Sequence, residues 1–509
     1  MPPSLRLPPL RPIPLRLHRR QFLLAPRQVA VAEGWTGERL GPGLHLHCCP
    51  ELRVERTEDA EGRAWVLLGR AVETDPERSA PTRSIAAARS AAVPALRYDW
   101  AGRWLLIGPV TAQDVARDGR IYPDASALLG CLYCRDPEGG LWVSSSPALL
   151  AEHAPGAAAV LSDPRALVYN SGVAWYPPPR ARFAAMRRLL PSQALRLAGG
   201  AVGARPMMPP IDPARPAEEG RAEIVRRLVT VLQRLAAETD EPLWLGLTGG
   251  YDSRLILALA SKAALPLQPF TRVTPRMTVA DRMLPAALAR IAGYGHRLTY
   301  PAAAREDRRP LLRRHALDHV SEGDARPLLS GERDDLSGIS IGGHGFAIAG
   351  GFADWRALPA EPAPVPAAVD AFLQCVGEPA GSPARAGLTA WLDWIRETPQ
   401  PHLDWRDRLY LEQRQAGWLA AKEQVSDLNA VERFPVLNCA RLYALILSID
   451  ASARRGSDLQ RDLIAATLPG LLSLPFNPPD RAFLIRRPDL VLRRRARRTL
   501  GLWWSRLSA

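Results

Sequence analysis

The sequence predicts an α/β protein in two parts, the first mainly antiparallel and the second built on a parallel sheet. Two patterns and the break between them predict this. Up to about residue 203, short apolar runs are bounded by turn residues; from residue 217 onward, apolar strands alternate with amphipathic helices. Between them, Arg205-Pro-Met-Met-Pro-Pro-Ile-Asp-Pro-Ala-Arg-Pro216 carries five prolines in twelve residues. Proline lacks the backbone donor that a helix interior or a central strand needs, so 204–216 is the expected linker between parts 1–203 and 217–509. A chain of 509 residues exceeds what one ordinary core organises, which agrees with two parts.

In order along the chain, Ala64–Leu68, Trp104–Ile107, Leu128–Cys134 and Leu141–Ser144 read as strands, and Ser146 to His153 as a helix. Ala217 to Glu238 is an amphipathic helix with Ile224, Leu228, Val231, Leu232 and Leu235 on one face. Leu243–Leu247 is a fully apolar strand, followed by Thr-Gly-Gly-Tyr-Asp-Ser-Arg and an apolar helix from Leu255 to Ala264. A second strand near Leu267–Thr271 and a second helix near Val279–Ala292 repeat the pattern. Strands this apolar are buried on both faces, as in a parallel sheet covered by helices. From about Trp391 the chain reads as mostly helical.

Composition narrows the function classes. The net charge is +14, yet Lys262 and Lys422 are the only lysines. Nearly all the positive charge is arginine, clustered at Arg6 to Arg27 and Arg486 to Arg498, and such stretches read first as solvated faces rather than nucleic-acid sites. Six cysteines without paired spacing point to a reduced cytoplasm. No apolar run reaches the roughly 18 residues a membrane span needs. Pro2, Pro3, Pro8, Pro9, Pro12 and Pro14 break any secretory apolar segment near the start.

The chemistry sits after Leu247. Ligands of open parallel sheets bind beyond the carboxyl ends of the strands. Gly249 and Gly250 let the backbone approach an anion, and the following helix aims its unpaired N–H groups there. Thr248 and Ser253 add hydroxyls. Asp252 repels a bare phosphate, so its natural role is to hold Mg²⁺ against phosphate oxygens. A Walker A loop is excluded because no lysine follows the glycines. The fitting chemistry is ATP cleavage between the α- and β-phosphates: a carboxylate takes the adenylate, and an amine then displaces AMP. The same residues also fit a plain tight turn from strand to helix.

The run Leu245-Gly-Leu-Thr-Gly-Gly-Tyr-Asp-Ser-Arg-Leu-Ile-Leu-Ala258 resembles the Ser-Gly-Gly-x-Asp-Ser signature of PP-loop synthetases of the asparagine synthetase family. Asp281 to His296 resembles the next helix of that family. Asp407 to Asn438 resembles its helical region, with Arg433-Phe-Pro-Val-Leu-Asn438 near its Pro-Phe-Leu-Asp. Gly102-Arg-Trp-Leu-Leu, Ala116-Arg-Asp-Gly, and Leu132-Tyr133 with Trp142-Val-Ser-Ser-Ser look like its glutaminase-type domain. The resemblance implies an N-terminal Ntn-hydrolase-like αββα domain over 1–203 and a HUP-like PP-loop domain over 217–509. It implies ATP and Mg²⁺, with Leu247, Thr248, Gly249, Gly250, Tyr251, Ser253 and Arg272 at the nucleotide. Asp252 is implied at the metal, with Asp252 and Arg461 in catalysis. The implied partners are a small-molecule or peptide carboxylate and an amine acceptor.

Three departures qualify what is carried over. Pro2 stands where glutamine-dependent members have cysteine, so glutamine hydrolysis is not expected. In Gly342-Gly-His-Gly-Phe-Ala-Ile-Ala-Gly-Gly-Phe352, Phe346 and Ala347 replace the family's acidic pair; Glu332, Asp334, Asp335 and Asp354 are the nearby carboxylates. Ser457 stands at the family's acyl-transfer lysine, which leaves Lys422 or an arginine as the compensating cation. The expectation is an AMP-forming amide ligase with a changed substrate, akin to lasso-peptide cyclases and β-lactam synthetases. A non-catalytic ATP-binding relative or scaffold is the alternative. His45-Leu-His47-Cys48-Cys49 reads as a loop-edge strand before a metal nest, and Cys131-Leu-Tyr-Cys134 as core packing before redox chemistry. His296 and His344 read as structural, and Leu500-Gly-Leu-Trp-Trp-Ser as packing on the domain before membrane contact.

Overall fold

The computed structural model describes residues 16–477 apart from 111–118, 171–172, 275–276, 302–305, 318, 322–324, 326, 330–336, 351–354, 356–357, 360–363 and 455–456. Among these residues, two six-stranded antiparallel sheets and a hairpin occupy the first part, and a five-stranded parallel sheet the second. No helix among them is long and apolar enough to cross a membrane.

The two antiparallel sheets face each other, and alternation along Phe22–Ala25 shows why. Phe22 and Leu24 join Val66, Leu68, Leu105 and Ile107 of the opposing sheet in one buried cluster. Leu23 and Ala25 point the other way, onto Leu149 and Leu150 of the helix Pro147–His153. Ser146 caps that helix by accepting from the Ala148 N–H at 3.1 Å. On the far side of the second sheet, Trp65, Trp100 and Trp104 pack with Ile85 of the helix Pro81–Ala86. Removing one such ring, roughly 200 Å², from water contributes about 5 kcal/mol.

The strand expected over Leu128–Cys134 begins only at Leu132. The Asp124 carboxylate accepts from the Ser126, Leu128 and Leu129 N–H groups at 3.1, 2.9 and 3.0 Å, winding these residues into turns. His45 and Cys48 lie in the strand Leu44–Cys48, where His45 Nδ1 meets Gln28 Oε1 at 3.2 Å. Cys48, Cys131 and Cys134 are free and buried, and burial pushes each thiol up to about 12, which leaves them inert.

The parallel sheet runs in the order Arg297–Thr299, Leu267–Arg272, Leu243–Gly246, Ile339–Gly342, Glu432–Pro435. From the central strand Leu243–Gly246 the chain builds outward on one side, then returns to build on the other. The order therefore reverses between Leu243–Gly246 and Ile339–Gly342, which is where such sheets open a crevice. The C-terminal region is mostly helical as expected, and Glu432–Pro435 is a strand the expectation did not include: four residues with two charges carry no strand signal, and the register with Ile339–Gly342 supplies one. The helix Ala217–Ala237 buries Ile224, Leu228, Val231, Leu232 and Leu235, and the helix after the Gly-Gly turn, Tyr251–Lys262, starts earlier than Leu255.

The proline-rich crossing is packed down. Met207, Met208 and Ile211 are buried in the core cluster that holds Leu228 and Ile446. Gln400 Oε1 accepts from the Met207 N–H at 3.0 Å, and Ser448 Oγ from the Asp212 N–H at 2.9 Å. Ion pairs also bridge the parts. Arg103 holds Asp427 through both terminal nitrogens at 3.0 and 2.8 Å, and Arg70 holds Glu432 at 2.9 Å. Arg103 and Asp427 are both buried, so removing either one strands a charge out of water.

Candidate functional site

The central strand ends in a turn whose bonds are nearly all internal. Leu247 closes the sheet, its N–H donating to Phe270 O at 2.8 Å and its carbonyl accepting from Thr271 Oγ1 at 2.7 Å. Ser253 Oγ accepts from the Thr248 N–H at 3.1 Å, and Thr248 Oγ1 from the Gly250 N–H at 3.2 Å. The Gly249 N–H donates to Asp281 Oδ1 at 2.8 Å. A Cβ on Gly249 would stand 3.3 Å from Asp281 Oδ1 and from Leu284 Cδ1, so the turn packs closely against these side chains. The backbone cradle expected over Gly249–Ser253 is thereby narrowed: Gly249 and Gly250 spend their amides within the protein. The uncapped first turn of the helix Tyr251–Lys262 remains to meet an anion.

Beneath the turn lies Arg254, fully buried. Its terminal nitrogens donate to the carbonyls of Leu471, Leu474, Pro475 and Gly249 at 3.0, 2.7, 2.8 and 3.1 Å. No carboxylate pairs with it among the described residues, and burial pushes it down to about 10. It therefore stays charged at neutral pH. The guanidinium lies 3.8 Å from the centre of the Phe476 ring, whose own centre is 4.1 Å from that of Tyr251, stacked parallel.

Above the turn stands an open hollow of about 620 Å³, within the range of small-ligand clefts. It spreads over the sheet face where Gly246, Ser340 and Gly342 leave room, between the central strand and its switch-point neighbour. Asp252 is the only carboxylate lining it and Arg433 the only cation among the described residues. Gln460 Nε2 reaches Asp252 Oδ1 at 3.4 Å, and burial pushes the Asp252 carboxyl up to about 6. Gly343 admits this approach, since a Cβ there would meet the Asp252 Cβ at 3.1 Å. Arg433 Nε sits 2.9 and 2.7 Å from the two oxygens of buried Glu423. Burial alone would raise Glu423, but Arg433 and Arg103 hold it below the usual range. Burial pushes His344 down to about 4, so its imidazole is neutral at physiological pH.

Thr248, Gly250, Tyr251, Asp252 and Ser253 thus come together on the hollow, with Leu247 and Gly249 beneath it. Arg272 and Arg461 do not line it. Arg272 Nη2 faces Pro327 O at 3.4 Å. Arg461 is exposed, donating to the Tyr251 hydroxyl at 2.8 Å and lying over the outer rings. Ser457, His344 and Ala347 line the hollow, Phe346 is in the core, and His296 bonds Thr271 at 2.9 Å. Lys422 lies over Trp418 at 5.0 Å instead. Glu332, Asp334, Asp335, Asp354, Pro2 and the Leu500 segment lie outside the described residues. Gln460, Arg433 and Asn477 are lining residues not assigned to the site from sequence; Arg433 opens the Arg433-Phe-Pro-Val-Leu-Asn438 motif and Asn477 precedes a proline in the sequence, while Gln460 carried no local signal.

No group of three or more His, Cys, Asp or Glu side chains able to hold a metal occurs among the described residues. One carboxylate with a single long hydrogen bond, beside a helix start without a side-chain cap, fits a cation that draws its other ligands from phosphate and water, as Mg²⁺ does. The chain matches no protein-family model and no curated protein.

Proposed function

We propose that the chain is an ATP-dependent, AMP-forming amide ligase of the asparagine synthetase type that does not hydrolyse glutamine. In this reading, 217–509 is a PP-loop synthetase domain, 204–216 a linker, and 1–203 a degenerate, Ntn-hydrolase-like glutaminase domain serving as scaffold or substrate platform. One observation carries it: an open hollow stands where the strand order reverses, over a Gly-Gly turn and an aspartate that no protein cation neutralises among the described residues. The first turn of the helix Tyr251–Lys262 receives the diphosphate, and the buried charge of Arg254 favours an anion there. Asp252 holds Mg²⁺, which when bound supplies charge neutralisation at the phosphates. Neutral His344 and Arg433 also line the hollow, which has room for a carboxylate substrate and its amine partner. The six free thiols agree with a reduced cytoplasm.

A second reading, a nucleotide-binding scaffold without turnover, is favoured by one feature. An incoming amine needs a base near neutral pH, and His344 is pushed far below that while Asp252 is committed to the cation. Pyrophosphate release from Mg-ATP, measured across a panel of carboxylates and amines, separates the two. The ligase releases pyrophosphate only with its substrates and loses at least about 10³-fold on Asp252→Ala. Nucleotide binding without release for any pair establishes the scaffold; no binding of Mg-ATP ends both.

A further inference from the structure

The segment after the last described helices crosses the phosphate turn as a strap. Arg254 gathers the carbonyls of Leu471, Leu474 and Pro475 together with that of Gly249, so one buried guanidinium ties the strap to the turn. Phe476 is clamped between Arg254 and Tyr251. The Asn477 N–H then donates to Gly249 O at 3.2 Å. These contacts fix the Asn477 backbone at φ +37°, in the left-handed region, and its exposed side chain lines the hollow. A Cβ on Gly250 would lie 3.4 Å from Asn477 Oδ1 and 3.8 Å from Nδ2, so the carboxamide stands against the turn. It has no protein hydrogen-bond partner among the described residues.

We infer that Asn477 is a phosphate-recognising residue, its carboxamide donating to the diphosphate of the nucleotide beside the Gly249-Gly250 turn. The Asn477 and Asp252 side chains are complementary: an aspartate at 477 would add a second negative charge, whereas an amide supplies a neutral donor that needs no counter-ion. Gly249 and Gly250 have spent their amides on Asp281 and Thr248, and Asn477 makes up for a donor the turn does not offer. The inference rests on the nucleotide reading of the hollow and adds a residue to it.

Calorimetric titration of the full chain with inorganic pyrophosphate and with AMP tests it. Asn477→Gly is the informative variant, because glycine adopts φ +37° without strain and keeps the strap while deleting the donor. Pyrophosphate affinity falls about tenfold, as expected for one hydrogen bond to a charged group, while AMP affinity changes less than about twofold. Asn477→Asp weakens pyrophosphate further. Wild-type pyrophosphate affinity in Asn477→Gly overturns the inference and leaves the nucleotide reading standing. Failure of the wild-type chain to bind pyrophosphate or Mg-ATP overturns both.

Discussion

Asp124 and Asp252 each follow a strand, one in each part of the molecule, and they are built to opposite ends. Asp124, after the strand Arg120–Pro123, is fully buried, and its carboxylate accepts from Ser126, Leu128, Leu129 and the Asn438 side chain, the last at 2.7 Å. Asp252, after the strand Leu243–Gly246, has one long bond from Gln460 and faces an open hollow. Burial raises both carboxyls. A carboxylate surrounded by donors is held as scaffold, whereas one with a single long bond beside an open hollow is free to take a ligand in the proposed function. The difference lies in where the neighbouring N–H groups were spent, not in the residue type.

Substitution at the first aspartate is the strongest way to break the comparison. Asp124→Ala leaves several buried donors without an acceptor and should cost about 3–5 kcal/mol in denaturant unfolding, whereas Asp252→Ala should cost less than about 1 kcal/mol. Equal losses would mean that Asp252 is scaffold too.

The pH dependence sharpens it. The folded-state value of Asp252 is raised, from an ordinary 3.8 to about 6, so the native state binds that proton more tightly than the unfolded chain. Its contribution to stability is full below about pH 4 and is lost as pH rises to about 6. Unfolding free energies of wild type and Asp252→Asn should lie together at acid pH, where the carboxyl is neutral like the amide, separate across that window as wild type loses stability, and run parallel above it. A constant offset throughout would remove the argument that this carboxyl is disfavoured as an anion. The smallest effect belongs to Arg461→Ala. Exposed and capping Tyr251 from outside, it should shift stability by within about 0.5 kcal/mol and pyrophosphate release by less than about threefold. A loss as deep as that of Asp252→Ala would return Arg461 to the chemistry.

Legibility divided along physical lines. The helix Ala217–Ala237 and the strand Leu243–Gly246 were readable because burial on one face or both leaves a periodic or unbroken apolar record. The strand Glu432–Pro435 and the turns after Asp124 were not, since a four-residue edge strand and a carboxylate-wound turn are specified by partners distant in sequence or by hydrogen bonds without a hydrophobic pattern. The site split in the same way. Thr248 to Ser253 are contiguous and could be found as a motif; Gln460, Arg433 and Asn477 reach the hollow from three other segments.

By itself the sequence determined that a glycine pair would end an apolar strand and open a helix with an aspartate in its first turn, because those are local demands of backbone geometry and burial. Only the tertiary structure decided which amides of that turn are already taken, that Arg254 lies beneath it with no carboxylate partner among the described residues, and that Arg461 bonds the Tyr251 hydroxyl rather than lining the hollow. Those outcomes depend on which neighbours the fold brings within hydrogen-bond reach, and a donor can be spent only once it has a partner in space.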